Sequence, residues 1–490
     1  MKRAALVAID LGAESCRVSL LRWTAADRPE IHLVHRFSNA PIQKEKKLIW
    51  DIEAIIQGVI VGLCQCAEIA NEGVASIGVD GWAVDYVRLG ERGKPLGLPR
   101  CYRDERTVQA EAEVHRLIPR EDLYGFTGIQ FLRFNTIYQL YADQQEGIDQ
   151  HARWINLPEY VLYRLGGRPV AEYTNSTHTQ LIDLHTGEWC SPIFDRIKLD
   201  LAAAPQVAET GSILGQLSGA LAQFPAFRST QLIAPACHDT ASAIAGIPAE
   251  GDDWAFISSG TWSLVGATLE KPCATPEALA GNFTNLGGVG KKTCFLKNIN
   301  GMWLLQQCLE FWKDQGQTWT IPQLVQRCNH LGSPAAYLDV DDPDLLLPGN
   351  FPQKIRAQLE RRHGQSLSSN GDSVFEIANL ILHSLAKKYA EVLRDITAIT
   401  GKQIRKLYIV GGGSRNTLLN RLTEEQTGLQ VIAGSAESST IGNFAVQLAR
   451  LDDDWKPSIG VSSTGVSGWA RRLGAHALRD ADEVFAGTVV

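Results

Sequence analysis

The sequence contains little that is typical of secreted, metal-binding or nucleic-acid-binding proteins. Its 490 residues include ten cysteines, which are spread thinly, with no Cys-x-x-Cys pair and no His-x-x-x-His motif. Neither a disulfide framework nor a zinc site is therefore indicated, and we expect free thiols in a reducing compartment. The net charge of -7 leaves no basic field for a phosphate backbone, which argues against nucleic acid as a partner.

Long hydrophobic segments are also scarce. The apolar run after Arg3 stops at Asp10, which makes it too short for the core of a signal peptide. We expect no other stretch to reach the ~18 apolar residues that a membrane span needs. The sequence therefore predicts a cytoplasmic protein without a membrane partner, either a monomer or a small homo-oligomer.

The chain does have the length and composition of a globular enzyme. It exceeds the size of a single hydrophobic core, and its 44% hydrophobic and 21% charged residues are ordinary values for a soluble protein. We predict two domains, which cover residues 1–246 and 247–490.

The two predicted halves begin with the same succession of patterns. In the first half, an apolar run at 4–9, a small polar turn at 10–15 and a further strand at 17–23 predict a hairpin. The segment 254–266 repeats this layout, and a third strand and a helix follow the hairpin in both halves. The matching order argues for an internal duplication rather than chance, and the mixture of strands and helices predicts the α/β class.

Three turns have the composition of phosphate-binding loops. Gly, Ser and Thr allow backbone N–H groups to approach an anion closely, and they are abundant in the turns at 10–15 and 258–263. The glycine run at 411–413 lies between a predicted strand and a predicted helix, where a helix N-terminus favours anions. Each turn is a weak signal alone, but three of them across a duplication predict a polyphosphate site.

Acidic residues follow buried strands near these turns. Asp10 lies in the first hairpin, and we assign it to Mg²⁺, directly or through water, because a cation on nucleotide phosphates needs a carboxylate there. Asp239 follows the apolar residues 232–234 and precedes small residues at helical spacing.

Two roles are open for Asp239. It is either the N-cap of the following helix or a general base that takes a proton from a substrate hydroxyl. In the second case the attacking oxygen would meet a γ-phosphate held by Ser15, Arg17 and Thr261.

Three further motifs resemble functional sites. The segment 287–293 looks like a Walker A loop, but its first glycine would fall on Asn285. Cys237 and His238 are neighbours on an extended chain, so their side chains point to opposite faces and do not form a nucleophile–base pair. Trp262 is assigned to the core, whereas a core position and stacking on a sugar are equally open for Trp82.

The ordered set of motifs resembles the sugar kinases of the FGGY family, within the actin/hexokinase superfamily. The matching segments are AIDLGAESCR at 8–17, IGVDGWAVD at 77–85, YRD at 102–104, GIQF at 128–131, YTN at 173–175, HDT at 238–240, SSGTWS at 258–263, KNI at 297–299 and VGGG at 410–413. They cover nearly the whole chain. The resemblance implies two actin-like, ribonuclease H-like ATPase domains flanking a cleft, with the sugar bound on the N-terminal side and the nucleotide on the C-terminal side.

Within the family, the motifs are most similar to those of kinases that act on L-rhamnulose. This implies ATP- and Mg²⁺-dependent phosphorylation of that ketose at its 1-hydroxyl, with Asp239 as the proton acceptor. The resemblance and the turns described above together indicate the candidate nucleotide contacts, which are Ala13, Glu14, Ser15, Cys16, Arg17, Thr261, Gln306, Gly411, Gly412 and Asn416. The candidate sugar contacts are Trp82, Ala83, Arg103, Asp104, His238, Asp239, Thr240 and Asn298.

Two positions depart from the family pattern. Cys16 and Ala83 stand where glycine is usual, so the first turn must accommodate a side chain and the sugar pocket is narrowed by a methyl group. The second departure keeps open a kinase for another ketose, such as L-fuculose or L-xylulose. A non-catalytic actin-like ATPase or sugar sensor is the alternative from a different functional class.

Overall fold

The computed structural model describes residues 3–346, 349–364 and 373–484. In this part, the strands are β1 Ala5–Leu11, β2 Ser15–Trp23, β3 Pro29–Ser38, β4 Ile42–Lys44, β5 Lys47–Ile49, β6 Val74–Gly81, β7 Tyr86–Leu89, β8 Arg153–Asn156, β9 Val170–Glu172, β10 Gln206–Ala208, β11 Ile213–Gln216, β12 Gln231–Ile233, β13 Trp254–Ser259, β14 Trp262–Leu269, β15 Thr284–Gly287, β16 Thr293–Asn300, β17 Lys406–Val410, β18 Gln430–Ala433, β19 Trp455–Lys456 and β20 Gly460–Val461. The α-helices are α1 Ile52–Ile69, α2 Thr107–Leu117, α3 Arg120–Thr127, α4 Thr136–Gln145, α5 Leu157–Arg164, α6 Tyr173–Thr177, α7 Ser191–Ile197, α8 Asp239–Ala245, α9 Pro276–Ala280, α10 Trp303–Asp314, α11 Ile321–Cys328, α12 Phe351–His363, α13 Ser373–Thr400, α14 Thr417–Thr427, α15 Ser438–Leu451 and α16 Ser463–Val484.

Contacts within the chain group into two compact units. The first comprises Met1–Glu250, Thr268–Phe295 and Ser438–Val490, and the second comprises Gly251–Ala267 and Leu296–Glu437. These units are defined by contacts in space. The predicted boundary between residues 246 and 247 divides the sequence into two consecutive domains, and it stays a prediction.

The first unit is built on a six-stranded mixed sheet with the strand order β11-β12-β6-β1-β2-β3. β1 runs antiparallel to β2 and parallel to β6, and β6 runs parallel to β12. Every residue of β1 is buried, as its unbroken apolar run predicts for a central strand. The parallel strands β12, β6 and β1 therefore end at the same edge of the sheet.

The helix α1 packs against this sheet as a core helix. Asp51 caps it by accepting a hydrogen bond from the N–H of Ala54 at 3.0 Å. By length and composition, α1 is also the one helix in the described part of the chain that could cross a membrane. The prediction that no such stretch exists is therefore wrong, because the apolar face of a core helix meets the same criterion. The buried residues of that face are Ile52, Ile55, Ile56, Val59, Gly62, Leu63 and Cys66.

The second unit repeats the strand arrangement of the first. Five strands of the six-stranded sheet β15-β16-β14-β13-β17-β18 carry the repeat, in the order β16-β14-β13-β17-β18. β13 runs antiparallel to β14 and parallel to β17, and β17 runs parallel to β18. The corresponding strands of the first unit are β3-β2-β1-β6-β12, so the predicted duplication is confirmed as a repeat of sheet topology.

Candidate active site

Acidic residues meet at the edge where the parallel strands of the first sheet end. Asp10 on β1 lies opposite Asp80 on β6 in the parallel register. At the end of β6, Gly81 forms a parallel bridge with His238. Residues that are far apart in sequence, Asp10, Asp80 and Asp239, are therefore gathered at this edge.

Asp239 is placed at the start of a short helix. It is the first residue of α8, whereas the N-cap position belongs to His238, which corrects the interpretation of Asp239 as the cap. Its Oδ1 accepts a hydrogen bond from the hydroxyl of Thr240 at 3.1 Å, and 37% of the side chain is exposed. Burial and then the negative charge of Asp10 raise the pKa of Asp239 to about 7. A ligand can thus reach a carboxyl group that gains or loses its proton near neutral pH.

Asp10 is held by two donors from different elements. Its Oδ2 accepts hydrogen bonds from Arg17 Nη1 at 3.1 Å and from Ser439 Oγ at 2.8 Å. The residues that the structure describes include no group of three or more His, Cys, Asp or Glu side chains that could hold a metal ion. A cation at Asp10 would therefore need its other oxygen ligands from phosphates or water, which is the usual environment of Mg²⁺ beside a nucleotide.

The helix α15 reaches the same carboxylates with polar side chains one turn apart. After Ser439, Asn443 Nδ2 donates to Asp80 Oδ2 at 2.6 Å, and Gln447 Nε2 donates to Asn443 Oδ1 at 2.7 Å. Asp80 is fully buried, and burial together with the charge of Asp10 raises its pKa well above the ordinary value. Asp80 is thus suited to keep its proton to a higher pH than an exposed aspartate does.

Two buried imidazoles lie beside Asp239. The rings of His178 and His238 meet edge to face with centroids 4.8 Å apart. Burial lowers the pKa of both rings, that of His178 to about 4, so both are neutral at neutral pH. His238 Nε2 lies 3.4 Å from Asp239 Oδ1. His238 can therefore orient the carboxylate as a neutral group rather than as an ion-pair partner.

A strained loop follows β6 and contains Ala83. Val84 has a φ of 70°, which is a left-handed conformation uncommon for a β-branched residue. The carbonyl oxygen of Val84 accepts a hydrogen bond from Gln139 Nε2 at 3.2 Å, and the neighbouring Asp85 is a buried acceptor. These contacts fix the backbone beside Ala83. The four donors to the Asp85 carboxylate are Trp50 Nε1, Trp82 Nε1, the N–H of Tyr102 and Gln139 Nε2.

Three other candidate sugar contacts make contacts within the protein. Trp82 packs on Trp50 with ring centroids 4.6 Å apart and is 6% exposed, which is a core position. Asp104 is buried and accepts a hydrogen bond from Arg100 Nη1 at 3.1 Å. Arg103 is exposed. Their assignment to the sugar stays a prediction.

The turn between β1 and β2 requires glycine and is supported from β3. A Cβ atom on Gly12 would lie 2.4 Å from the carbonyl oxygen of Ser15. Asn39 Nδ2 donates to the carbonyl oxygen of Gly12 at 3.0 Å, and Arg36 Nη2 donates to Ser15 Oγ at 3.1 Å. This turn therefore combines a tightly folded backbone with a second arginine that the sequence analysis did not identify.

The side chain of Cys16 fits into this turn because it points into the core. Cys16 is fully buried, its Sγ lies 3.7 Å from the carbonyl oxygen of Gly12, and burial raises its pKa to about 12. Ala13 and Glu14, which form the turn itself, are partly or fully exposed. The departure from glycine at residue 16 thus leaves the exposed face of the turn unchanged.

In the second unit, Gly260 and Thr261 form the corresponding turn. The N–H of Gly260 donates to the carbonyl oxygen of Trp262 at 2.8 Å. The N–H groups of Met302 and Trp303, at the start of α10, donate to the carbonyl oxygens of Gly260 and Thr261 at 3.1 and 3.2 Å. The start of α10 thus holds the hairpin turn in place.

The glycine run packs against the hairpin strand β13. A Cβ atom on Gly413 would lie 2.0 Å from Ser259 Oγ, and Gly411 has a φ of 82°. Gly412 is exposed, with open space where a Cβ atom would be. The run forms a 3₁₀ helix, Gly412–Arg415, so it does not lead directly into an α-helix as its sequence suggests.

The remaining candidates of the second unit lie on three different elements. Asn416 caps α14 by accepting a hydrogen bond from the N–H of Leu419 at 3.0 Å, while its buried Nδ2 has no partner among the described residues. Gln306 on α10 and Asn298 on β16 are half-buried. Of the candidate sugar contacts, Asn298 lies in the second unit and the others lie in the first.

The motifs rejected from the sequence have structural roles. Lys291 of the segment 287–293 binds Glu209 at 2.8 Å and lies over the ring of Tyr173, and a short 3₁₀ helix stands where a Walker A loop would start an α-helix. Cys237 is fully buried, which raises the pKa of its thiol well above the ordinary value. All ten cysteines are free, as predicted.

Known protein families match almost the entire chain. The N-terminal domain model of the FGGY family of carbohydrate kinases matches residues 5–246, and the C-terminal domain model matches residues 255–451. The chain belongs to the FGGY family of carbohydrate kinases. Rhamnulokinases from Pectobacterium atrosepticum and Pectobacterium carotovorum are each 39% identical to this FGGY kinase over 454 residues, which are 91% of this chain and 88% of each relative.

Solved structures share the fold of this FGGY kinase at low identity. The ligand-bound xylulose kinase from Lactobacillus acidophilus has a TM-score of 0.75 at 14% identity, covering 98% of this chain and 99% of that one. The Plasmodium falciparum glycerol kinase with ADP has a TM-score of 0.73 at 14% identity, covering 96% and 92%. The predicted fold class, two actin-like α/β domains, is confirmed.

Sequence reasoning missed several residues of the first unit that contact the candidates. Ser439 and Asn443 bind two of the strand-end carboxylates, and His178 packs on His238. The available signal was the spacing of Ser439, Asn443 and Gln447, which recur every four positions and therefore lie on one face of the helix.

Proposed function

We propose that this FGGY kinase transfers the γ-phosphoryl group of ATP to the 1-hydroxyl of L-rhamnulose. The proposal is supported by 39% identity to two rhamnulokinases over 91% of the chain. The observation that carries the chemistry is Asp239, a partly exposed carboxylate with a pKa raised to about 7.

Asp239 is the proposed general base. It takes the proton of the sugar hydroxyl while the hydroxyl oxygen attacks the γ-phosphorus. The bond between the γ-phosphorus and the bridging oxygen breaks, ADP is the leaving group, and the proton remains on the carboxyl group until the product leaves. A base with a pKa near the working pH combines a useful ionised fraction with sufficient basicity. Thr240 Oγ1 donates a hydrogen bond to Asp239 Oδ1, and the ring of His238 lies 3.4 Å from the same oxygen, so both residues orient the carboxylate.

The nucleotide phosphates are proposed to bind at the glycine-containing turns. In the first unit, the exposed backbone of the first turn and the cation of Arg17 provide donors for phosphate oxygens. In the second unit, the hairpin turn and the glycine run provide further N–H groups. The proposed contacts are Ala13, Glu14, Ser15, Cys16 through its backbone, Arg17, Thr261, Gln306, Gly411, Gly412 and Asn416.

Asp10 is proposed to hold Mg²⁺, directly or through water. When bound, Mg²⁺ neutralises charge on the transferred phosphoryl group. The donor set fits this use because a single carboxylate with phosphates and water completes the shell that Mg²⁺ prefers. Arg17 and Ser439 fix the orientation of that carboxylate.

The sugar is proposed to bind beside Asp239, with Ala83 and the neutral His238 as neighbours. The other proposed sugar contacts are Trp82, Thr240, Arg103, Asp104 and Asn298. We also propose a cytoplasmic enzyme, monomeric or a small homo-oligomer, with no nucleic-acid or membrane partner. Its domains would be 1–246 on the sugar side and 247–490 on the nucleotide side.

A coupled assay of ADP release over a panel of ketoses tests the function. We expect kcat/KM to be highest for L-rhamnulose in a comparison with L-fuculose and L-xylulose. A clear preference for either of the other sugars would overturn the substrate and would fit the narrowing of the pocket by Ala83. If no ketose stimulates ADP release, the chain is an ATPase or sensor rather than a sugar kinase.

A further inference from the structure

A second buried carboxylate, Glu172, lies behind the segment that carries Asp239. Glu172 is the last residue of β9 and the N-cap of α6, and none of its surface is exposed. In its contacts with the described residues it acts as a hydrogen-bond acceptor, and no lysine or arginine contacts it. Its five donors are the N–H and Oγ1 of Thr174, the N–H of Asn175, the N–H of Cys237 and Oγ1 of Thr210.

Two of these contacts reach the backbone immediately before Asp239. Glu172 Oε2 accepts from the N–H of Cys237 at 3.0 Å. The same oxygen accepts from Thr174 Oγ1 at 2.6 Å, and Thr174 Oγ1 in turn accepts from the N–H of His238 at 3.4 Å. Both residues that precede Asp239 are thus attached to one carboxylate, directly or through one hydroxyl.

The same carboxylate also fixes the element that packs against His238. By accepting from the N–H groups of Thr174 and Asn175, Glu172 caps α6, at whose C-terminal end His178 lies. The ring of His178 packs on that of His238. Glu172 therefore sets both the backbone and a ring contact of the residue next to Asp239.

The neighbouring Glu159 provides a comparison, since it is equally buried. Its Oε1 accepts from the N–H of Glu172 at 3.0 Å, and its Oε2 accepts from Asn175 Nδ2 at 2.9 Å. Burial and the charge of Glu172 raise the pKa of Glu159 to about 8, so it is largely protonated at neutral pH. Glu159 has no hydrogen bond to residues 237–239 among the described contacts.

We propose that Glu172 is a positioning residue, which fixes the backbone at Cys237 and His238 and thereby places the carboxylate of Asp239 for proton transfer. The proposal rests on the role of Asp239 proposed above. Four donors converge on Oε2, so a glutamine would present them either with an NH₂ group or with a neutral carbonyl oxygen, which accepts more weakly than a carboxylate oxygen. The attachment of the backbone before Asp239 would then be weakened.

The test compares Glu172→Gln with Glu159→Gln in the full-length protein. We expect Glu172→Gln to lower kcat by about 30- to 100-fold with KM for ATP within about twofold, since small misplacements of a catalytic group have effects of this size. Glu159→Gln, which resembles the protonated carboxyl, should stay within about threefold of the wild type in kcat. Equal losses of kcat in both variants, or near-normal kcat in Glu172→Gln, would overturn the proposal.

Hydrogen exchange gives a readout that needs no substrate. The amides of Cys237 and His238 should exchange faster in Glu172→Gln than in the wild type or in Glu159→Gln. This measurement tests the positioning role of Glu172 separately from the proposed kinase function, because amide exchange can be compared even if no ketose is phosphorylated. Unchanged exchange at these amides would exclude the positioning role.

Should Glu172→Gln fail to fold, Thr174→Val tests the same attachment. This variant keeps Glu172 but removes the hydroxyl between its carboxylate and the N–H of His238. We expect a smaller loss of kcat, about three- to tenfold, with faster exchange at His238. A variant with unchanged kcat and exchange would contradict the proposal.

Discussion

At the scale of single residues, the position of Asp239 decides its chemistry. An aspartate at a helix start is ordinarily ionised and accepts hydrogen bonds from the first backbone N–H groups of the helix. Here the N-cap is His238, and burial and the charge of Asp10 raise the pKa of Asp239 to about 7. The remaining exposure of 37% lets a substrate approach the carboxylate.

Replacement of Asp239 by asparagine tests the base. We expect kcat to fall by at least ~10² because the amide cannot accept the proton, while sugar and ATP binding stay near normal. Titration calorimetry and steady-state kinetics measure both quantities. Asp51→Asn is the matched control, because Asp51 also stands at a helix start but only caps α1. Near-normal turnover in Asp239→Asn would exclude the role of general base.

The pH dependence follows from the same carboxylate. Its pKa is raised to about 7 and the base is the ionised form, so activity should be lost as pH falls below 7. We expect kcat/KM to decrease by about tenfold per pH unit well below this pKa. Steady-state rates between pH 5 and 8.5 check the profile. If kcat/KM stays constant down to pH 5, a group other than Asp239 takes the proton.

At the scale of elements, α15 supports the sheet edge where Asp10, Asp80 and Asp239 lie, although it carries no catalytic group itself. Its polar residues Ser439, Asn443 and Gln447 lie one turn apart and bind Asp10, Asp80 and each other. Helical periodicity therefore aligns one row of side chains with two neighbouring strand ends. The helix approaches α8 closely, because a Cβ atom on Gly442 would lie 1.8 Å from the carbonyl oxygen of Ser242.

Substitution of Asn443 by leucine tests this element. It leaves the buried Asp80 without its amide donor, so we expect the free energy of unfolding to fall by about 1–3 kcal/mol and kcat to decrease. Asn379→Leu removes a comparable amide contact, to the carbonyl oxygen of Gly332 in the second unit, and should leave kcat unchanged. Denaturant unfolding and kinetics distinguish the variants. An unchanged kcat in Asn443→Leu would show that the contact between α15 and Asp80 does not contribute to catalysis.

At the scale of the whole molecule, buried carboxyl groups make stability depend on pH. The pKa of Glu159 is raised from its ordinary value of 4.5 to about 8, so folding favours its protonated form. Its contribution to stability is therefore fully present below pH 4.5 and is lost as pH rises toward 8.

A glutamine at position 159 should remove this part of the dependence. We expect the Tm of the wild type to fall more steeply between pH 5.5 and 8 than that of Glu159→Gln, because one proton is worth about 1.4 kcal/mol per pH unit. Calorimetric scans at several pH values provide the comparison. Parallel curves for the two proteins would show that Glu159 titrates normally.

The sequence by itself determined the elements, the duplication and the family, because these depend on local patterns. The apolar run at 4–9 predicted β1, the repeated hairpin pattern predicted the duplication, and the FGGY motifs indicated the fold. Local patterns also indicated Asp239, but they left open whether it caps a helix or accepts a proton.

Only the tertiary structure decided which residues surround Asp239. The register of β1, β6 and β12 brings Asp10 and Asp80 to its edge, and burial there raises its pKa. Glu172 lies 65 positions before Cys237 in the chain, yet its carboxylate accepts the N–H of that residue. Such contacts depend on strand order and packing between distant segments, which no local pattern encodes.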